Sequence, residues 1–291
     1  MLPFCLAVLI ALATQALTQS RIHAFINTCH PCRPCRGWRG LRVRVLWCRM
    51  PLARIGAFAE YAAVDCRALA KVPDYLSDEE AAAVPLTALT ALQAIGLLQA
   101  REGDTLFISG GTGSFGAMAI PIAKSKGLTV ITNGNAAGRE RVIALGADRF
   151  IDYKQEDYAQ TLHDVDCVID TLGDRELPRE FGILKPGGHL VSLRGMPNGE
   201  FAARTGMPFM KRMLFSIAGR EVDKMAAARG QHYHFIFVHE DGAGLQQVSN
   251  LFAERQITAS IDRVFPLADV NAALLKVASG GSNGKTVLKI G

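Results

Sequence analysis

Asp104-Thr105-Leu106-Phe107-Ile108-Ser109, followed without a break by Gly110-Gly111-Thr112-Gly113-Ser114-Phe115-Gly116, is the stretch from which the fold follows. The first six residues have the apolar, β-branched character of a buried strand, and a helical pattern runs from Ser114 to about Lys126. Gly111-x-Gly113-x-x-Gly116 therefore stands in the strand-turn-helix setting that a dinucleotide-binding turn requires. Gly111 permits a tight turn, Gly113 lets backbone N–H groups approach a pyrophosphate, and Gly116 lets helix and strand pack closely. Thr112, Ser114 and Phe115 complete the candidate phosphate loop, with the positive end of the helix facing the negative charge. Pro121 lies inside the helix and is predicted to kink it, because it removes one hydrogen bond of the ladder.

The same alternation continues on either side. Strands are predicted over Leu128–Thr132, Arg149–Tyr153, Asp166–Asp170, His189–Leu193 and His234–Val238, with a helix over Arg139–Leu145. Upstream, Ala57–Val64 reads as a strand and Thr87–Gln99 as a helix. Ser77 and Glu80 have the spacing of a capping box at the start of another helix. Strands alternating with helices imply an α/β fold, a doubly wound parallel sheet whose ligand lies across the carboxyl ends of its strands.

The end of the second strand bears on which dinucleotide is bound. A carboxylate there would bond the ribose 2′-hydroxyl of NAD, but the residues are Thr132-Asn133-Gly134-Asn135, with Arg139 and Arg141 just beyond. An acid would repel a 2′-phosphate and an Arg can pair with it, so NADPH is favoured over NADH. Arg139 is the better candidate, since Arg141 reads equally well as a solvated residue on the following helix.

The 291 residues carry a formal net charge of +5, unevenly spread. Before Glu60 there are eight Arg and no acidic residue. Removing those eight from 32 leaves 24 basic against 27 acidic residues, a net of about −3 for the remainder. Five of the seven Cys (Cys5, Cys29, Cys32, Cys35, Cys48) and both Trp also fall in this first stretch. Cys32-x-x-Cys35 has half the spacing of a zinc site, but no second ligand pair follows, so no metal is expected. The apolar run Leu2–Ala13 has Ala11-Leu12-Ala13 as a site for a signal peptidase, yet no cation precedes it. It also falls short of the ~20 residues of a membrane span. Residues 1–53 are read as an atypical Arg/Cys-rich segment, not a native domain, with the composition an out-of-frame translation would give. No membrane or nucleic-acid partner is expected.

From about Ile55 to the end, the chain resembles the medium-chain dehydrogenase/reductase superfamily, in its zinc-free quinone oxidoreductase-like branch. The resemblance rests on Gly56–Tyr61, Ala81–Pro85 with Leu89-Thr90-Ala91, the Gly111–Gly116 turn, Leu145–Asp148, Leu184–Gly188 and Asn283–Leu288, in that order and spacing. It implies a Rossmann domain over residues 88–240, inserted in a partial GroES-like catalytic domain made of 54–87 and 241–291. It also implies that Thr90 sits near the nicotinamide end and that Gly173, Phe235, Phe237 and Lys285 approach the ribose or nicotinamide side. Gly113, Ser114 and Phe115 would contact the pyrophosphate, and Asn133, Arg139 and Tyr153 the adenosine phosphate. For Phe235, Phe237 and Tyr153 an ordinary structural role competes with this.

The family carries a longer stretch of catalytic domain before the point equivalent to Gly56, including one wall of the substrate cleft. What the resemblance implies is an NADPH-dependent oxidoreductase that passes hydride to a quinone or an α,β-unsaturated carbonyl, with a proton from solvent and no catalytic zinc. No side chain is assigned as catalytic. A catalytically inactive NADPH-binding protein, a sensor or pseudoenzyme, remains the alternative. A small-molecule substrate, a homodimer paired near Phe235 and a cytoplasmic location complete the expectations.

Overall fold

Runs of Val, Ile, Leu and Phe separated by helical segments leave strands buried on both faces, as a parallel sheet flanked by helices demands. A computed structural model describes residues 67–173, 175–279 and 284–290, together with the backbone of 17–19, 23–24, 45–47, 61–62 and 66. The run Leu2–Ala13, the cluster Cys29–Cys35, most of the strand expected over Ala57–Val64, and Asn283 lie outside the described residues.

The chain divides into two compact units, one of Thr90–Val238 and the other drawn from both sides of it, up to Leu89 and from His239. The divided unit contains the short strands β1 (Leu17–Gln19), β2 (His23–Ala24), β3 (Val45–Trp47), β4 (Tyr61–Ala62) and β5 (Leu69–Lys71). Strand β3 pairs antiparallel with β5 and β2 parallel with β4. Helix α1 (Asp78–Ala83) starts on the expected capping box: Glu80 N–H donates to Ser77 Oγ at 3.2 Å and Ser77 N–H donates to Glu80 Oε2 at 2.8 Å. Helix α2 (Pro85–Leu97) begins two residues before the predicted start, as proline at the first helical position allows, and Gln99 lies beyond it with a left-handed φ of 51°.

Thr90–Val238 is built on six parallel strands: β6 (Thr105–Ile108), β7 (Thr129–Gly134), β8 (Arg149–Asp152), β9 (Val165–Asp170), β10 (Leu184–Ser192) and β11 (His232–Phe235). Their order is β11-β10-β9-β6-β7-β8, so the winding reverses between β6 and β9. This is the doubly wound Rossmann arrangement, with the ligand crevice at that reversal. Leu106, Phe107, Ile108, Val168, Ile169, Leu190 and Val191 are wholly buried. On one face Phe107 stacks on Tyr158 with ring centroids 4.8 Å apart, in a core that includes Phe181 and Tyr233. Helix α3 (Ser114–Ser125) runs unbroken through a buried Pro121.

Strand β11 lies earlier than predicted. It pairs His232 to Phe235 with His189 to Ser192, and because β10 ends at Ser192, Phe237 falls outside the strand. The helices α4 (Arg139–Ala144), α5 (Tyr158–Thr161) and α6 (Leu177–Ile183) connect the strands. Three more, α7 (Gly199–Arg204), α8 (Phe209–Ala218) and α9 (Arg220–Ala227), fill a long connection that the sequence reading left without structure.

After Val238 the chain returns to the divided unit with α10 (Gly242–Arg255), β12 (Ile261–Pro266), α11 (Val270–Ser279) and β13 (Lys285–Lys289). Strand β13 lies parallel between β1 and β12. Ser249 Oγ donates to Lys71 O at 2.8 Å and Tyr75 Oη to Phe252 O at 2.9 Å, so α10 holds the chain around β5.

Candidate functional site

The turn after β6 is fixed from the side by β7. Gly110 N–H donates to Asn133 Oδ1 at 2.8 Å, and Gly111 N–H donates to Asn133 O at 3.0 Å. Asn133 is thus nearly buried and turned inward, bracing the loop. A Cβ on Gly111 would lie 1.8 Å from Thr132 Oγ1, and one on Gly116 would lie 2.1 Å from Gly111 O. Strand, turn and helix are in contact at both positions, and no larger residue fits. At Gly113 the nearest atom to an added Cβ is Gly110 O at 3.4 Å, which leaves that side of the loop open.

No side chain caps α3 at Gly113, and Ala117 N–H makes the first helical bond, to Gly113 O at 3.1 Å. The amides of Ser114, Phe115 and Gly116 precede that bond. Amides so placed at a helix N-terminus can donate to an anion such as a pyrophosphate.

Thr112 is wedged between β7 and α4, where a Cβ on Gly134 or Gly138 would lie 2.2 or 2.6 Å from its Cγ2. Arg141 Nη2 donates to the Thr112 carbonyl. Arg141 is therefore committed to the loop and is not the solvated residue that competed for its place. Arg139 opens α4 and is exposed, its guanidinium 6.0 Å from the Phe150 ring centroid. Tyr153 follows β8, 57% exposed, with its N–H donating to Gly134 O at 3.4 Å. The Gly111–Gly116 turn, Asn133, Arg139 and Tyr153 thus gather at the ends of β6, β7 and β8.

Across the reversal stands a group that sequence reasoning missed. Asp170, fully buried at the end of β9, accepts from Leu172 N–H at 2.7 Å and Gly173 N–H at 2.8 Å through Oδ1. Its Oδ2 accepts from Ser192 Oγ at 2.5 Å, and Ser192 Oγ in turn accepts from Gly195 N–H at 2.7 Å. Asp170 therefore ties together the loops that follow β9 and β10. The signal was present in the sequence as an acid closing a buried strand three residues before a glycine, the pattern of an Asx turn. Gly173 is buried with φ of +94°. Glu180 on α6 is also fully buried, beside Asp170 and the Ser109 hydroxyl. Burial raises its pKa well above the ordinary carboxylate value and the Asp170 charge raises it further; the Ser109 hydroxyl, which lowers it, does not offset them.

Phe235 packs edge-on against Phe201, ring centroids 5.0 Å apart, as a half-buried structural aromatic, while Phe237 is 40% exposed. Thr90 lies half-buried on α2. Lys285 belongs to the other unit, where it is buried on β13 and its N–H donates to Ser260 O at 2.8 Å.

A family model described as zinc-binding dehydrogenase matches residues 145–288. Among the described residues, no group of three or more His, Cys, Asp or Glu side chains is placed to hold a metal ion. The mitochondrial NAD(P)H oxidoreductase RTN4IP1 of Danio rerio is 29% identical over 255 residues, covering 84% of this chain and 65% of the relative. The quinone oxidoreductase of Coxiella burnetii is similar in structure with a TM-score of 0.63 and 28% identity, covering 77% of this chain and 64% of that one. That of Thermus thermophilus, solved also in complex with NADPH, gives a TM-score of 0.60 and 26% identity over 80% of this chain and 73% of that one. The chain thus spans about two thirds of the length of these proteins. The cytoplasmic location expected from the cofactor is corrected by the relatives, since the zebrafish protein and its mouse and human counterparts are mitochondrial. With its six-stranded 3-2-1-4-5-6 sheet and these relatives, the chain belongs to the medium-chain dehydrogenase/reductase superfamily.

Proposed function

We propose that the chain is an NADPH-dependent oxidoreductase that passes hydride to a quinone or an α,β-unsaturated carbonyl without a catalytic metal. The observation that carries this is the pairing of an uncapped α3 N-terminus with an exposed Arg139 at the start of α4, just after a β7 whose own last residues, Thr132-Asn133-Gly134, include no carboxylate. The amides of Ser114, Phe115 and Gly116 hold the pyrophosphate, and Arg139 pairs with the 2′-phosphate. Asp170 fixes the loops around Gly173 and Gly195 that border the nicotinamide end. When bound, the nicotinamide supplies the hydride; water supplies the proton. The zebrafish relative is an NAD(P)H oxidoreductase by name, and two structural neighbours are quinone oxidoreductases, one of them solved with NADPH, which supports a nicotinamide-dependent oxidoreductase. A small molecule is the partner required, and a homodimer paired along the edge strand β11 belongs to the same proposal.

Fluorescence titration with NADPH and NADH, followed by NADPH oxidation with a benzoquinone, tests it. NADPH is expected to bind more tightly, and Arg139→Ala is expected to weaken NADPH about tenfold, roughly the 1.4 kcal/mol of a charge-assisted bond, while leaving NADH nearly unchanged. Equal losses for the two nucleotides would remove Arg139 from the site. Tight binding with no oxidation above the protein-free rate would leave an NADPH-binding protein without reductase activity.

A further inference from the structure

We propose that helix α8 (Phe209–Ala218) is a membrane-surface element whose outward apolar face lies on anionic lipid headgroups. This inference is independent of the nucleotide site. The inner side of the helix is fixed by Phe215, which meets Phe201 edge-on with centroids 6.2 Å apart, while Ser216, at the edge of the outward arc, sits so close to α7 that a Cβ on Gly199 would lie 2.2 Å from its Oγ. Gly219, just beyond, lies against Asn198, where a Cβ would come within 2.5 Å of the Asn198 Cβ. That leaves Phe209, Met210, Met213, Leu214 and Ile217 on the opposite arc, each between 46% and 75% exposed. These positions are spaced by one, three and four residues, so they form one continuous stripe along the helix. A stripe of this kind turned outward marks an interaction surface.

Charge selects the partner. Residues 205–220 contain Lys211, Arg212 and Arg220 and no Asp or Glu. All three cations are exposed, and none has an ion-pair partner among the described residues. Lys211 and Arg212 flank the apolar arc at 100° per residue, where they can reach phosphates while the apolar side chains enter the acyl boundary. A second copy of this chain fits less well, since a two-fold pairing of α8 would bring the same cations together with no carboxylate in the segment to answer them. No helix among the described residues is long and apolar enough to cross a membrane, and a helix lying in the interface needs no such length.

Co-sedimentation of the full chain with vesicles of phosphatidylcholine alone, or of phosphatidylcholine with phosphatidylglycerol, tests the proposal. Binding is expected to the anionic vesicles and to weaken as salt is raised. Lys211→Gln or Arg212→Gln is expected to lower the partition about fivefold each, and Leu214→Ser with Ile217→Ser at least about tenfold. Unchanged circular dichroism serves as the folding control. Failure of the unsubstituted chain to sediment with anionic vesicles overturns the proposal, as does binding indifferent to Leu214→Ser with Ile217→Ser. A concentration-dependent dimer that those substitutions dissolve, without vesicle binding, assigns the face to a second copy and overturns it too.

Discussion

Gly113 and Gly116 stand three residues apart in one turn yet fail differently when enlarged. A methyl group on Gly116 meets the Gly111 carbonyl, which is backbone and cannot swing away. Gly116→Ala is expected to cost about 1–3 kcal/mol in thermal unfolding and to abolish nucleotide binding. A methyl group on Gly113 meets nothing closer than 3.4 Å. Gly113→Ala is expected to cost about 1 kcal/mol or less, the penalty of a poorer N-cap, while weakening NADPH, because the methyl group stands where the pyrophosphate approaches. Equal destabilisation by both would refute the distinction. Glu180 gives a pH test. Its folded pKa is raised, so the protonated form contributes stability that is complete below the ordinary carboxylate range and is lost as pH rises through the folded value. Glu180→Gln removes that loss. Its urea midpoint is expected to exceed that of the unsubstituted protein above neutrality and to match it in acid; an advantage of the same size in acid would mean that the gain is packing, not ionisation.

At the scale of elements, β10 and β11 carry a stack of imidazoles. His189 lies 4.5 Å from His232 and 5.3 Å from His234 between ring centroids, with Nδ1 of His189 3.0 Å from Nε2 of His234. Glu200, 3.8 Å from His234, and Arg204, paired to Glu200, are the charged groups of α7 beside it. Burial lowers the pKa of His189, and the charges of His232 and His234 lower it further. Neutral His189 therefore contributes stability present above the ordinary histidine range and lost as pH falls through its depressed value. The protection factors of the Tyr233 and Phe235 amides, exchange rates corrected for the intrinsic rate at each pH, are expected to fall in mild acid and to fall less in His189→Gln; an identical acid response in the variant would clear His189 of that role. The central strands β6, β7 and β9 were legible in the sequence because apolar residues must fill both faces of a buried strand. Asp170 was not, since its partners are backbone amides two and three residues on and a hydroxyl on a neighbouring strand, which no period marks. The helices α7, α8 and α9 were missed for another reason: α7 and α9 are short, and the stripe Phe209, Met210, Met213, Leu214 and Ile217 of α8, though spaced as a helix, lies in a connection read only for the next strand.

Across the whole molecule, net charge and site charge have opposite signs. The +5 belongs to the Arg-rich first fifth, and from Glu60 onward the balance is about −3, so the bulk of the chain does not attract an anionic nucleotide. In the proposed function, attraction comes from short-range donors, the α3 amides and Arg139, within the unit Thr90–Val238. The amides act on either dinucleotide, while an exposed Arg139 acts only on one with a 2′-phosphate and is screened by salt. At a concentration one hundred times its Kd, a ligand that binds only the folded state adds about 2.7 kcal/mol to stability. NADPH is therefore expected to raise the unfolding temperature more than NADH at equal concentration in dilute buffer. The gap should narrow in high salt and close in Arg139→Ala, as calorimetry with each nucleotide can show. A gap that persists in the variant would place the 2′-phosphate contact elsewhere, with Arg141 next in line once it releases the Thr112 carbonyl, and the double variant would then be the one to abolish it.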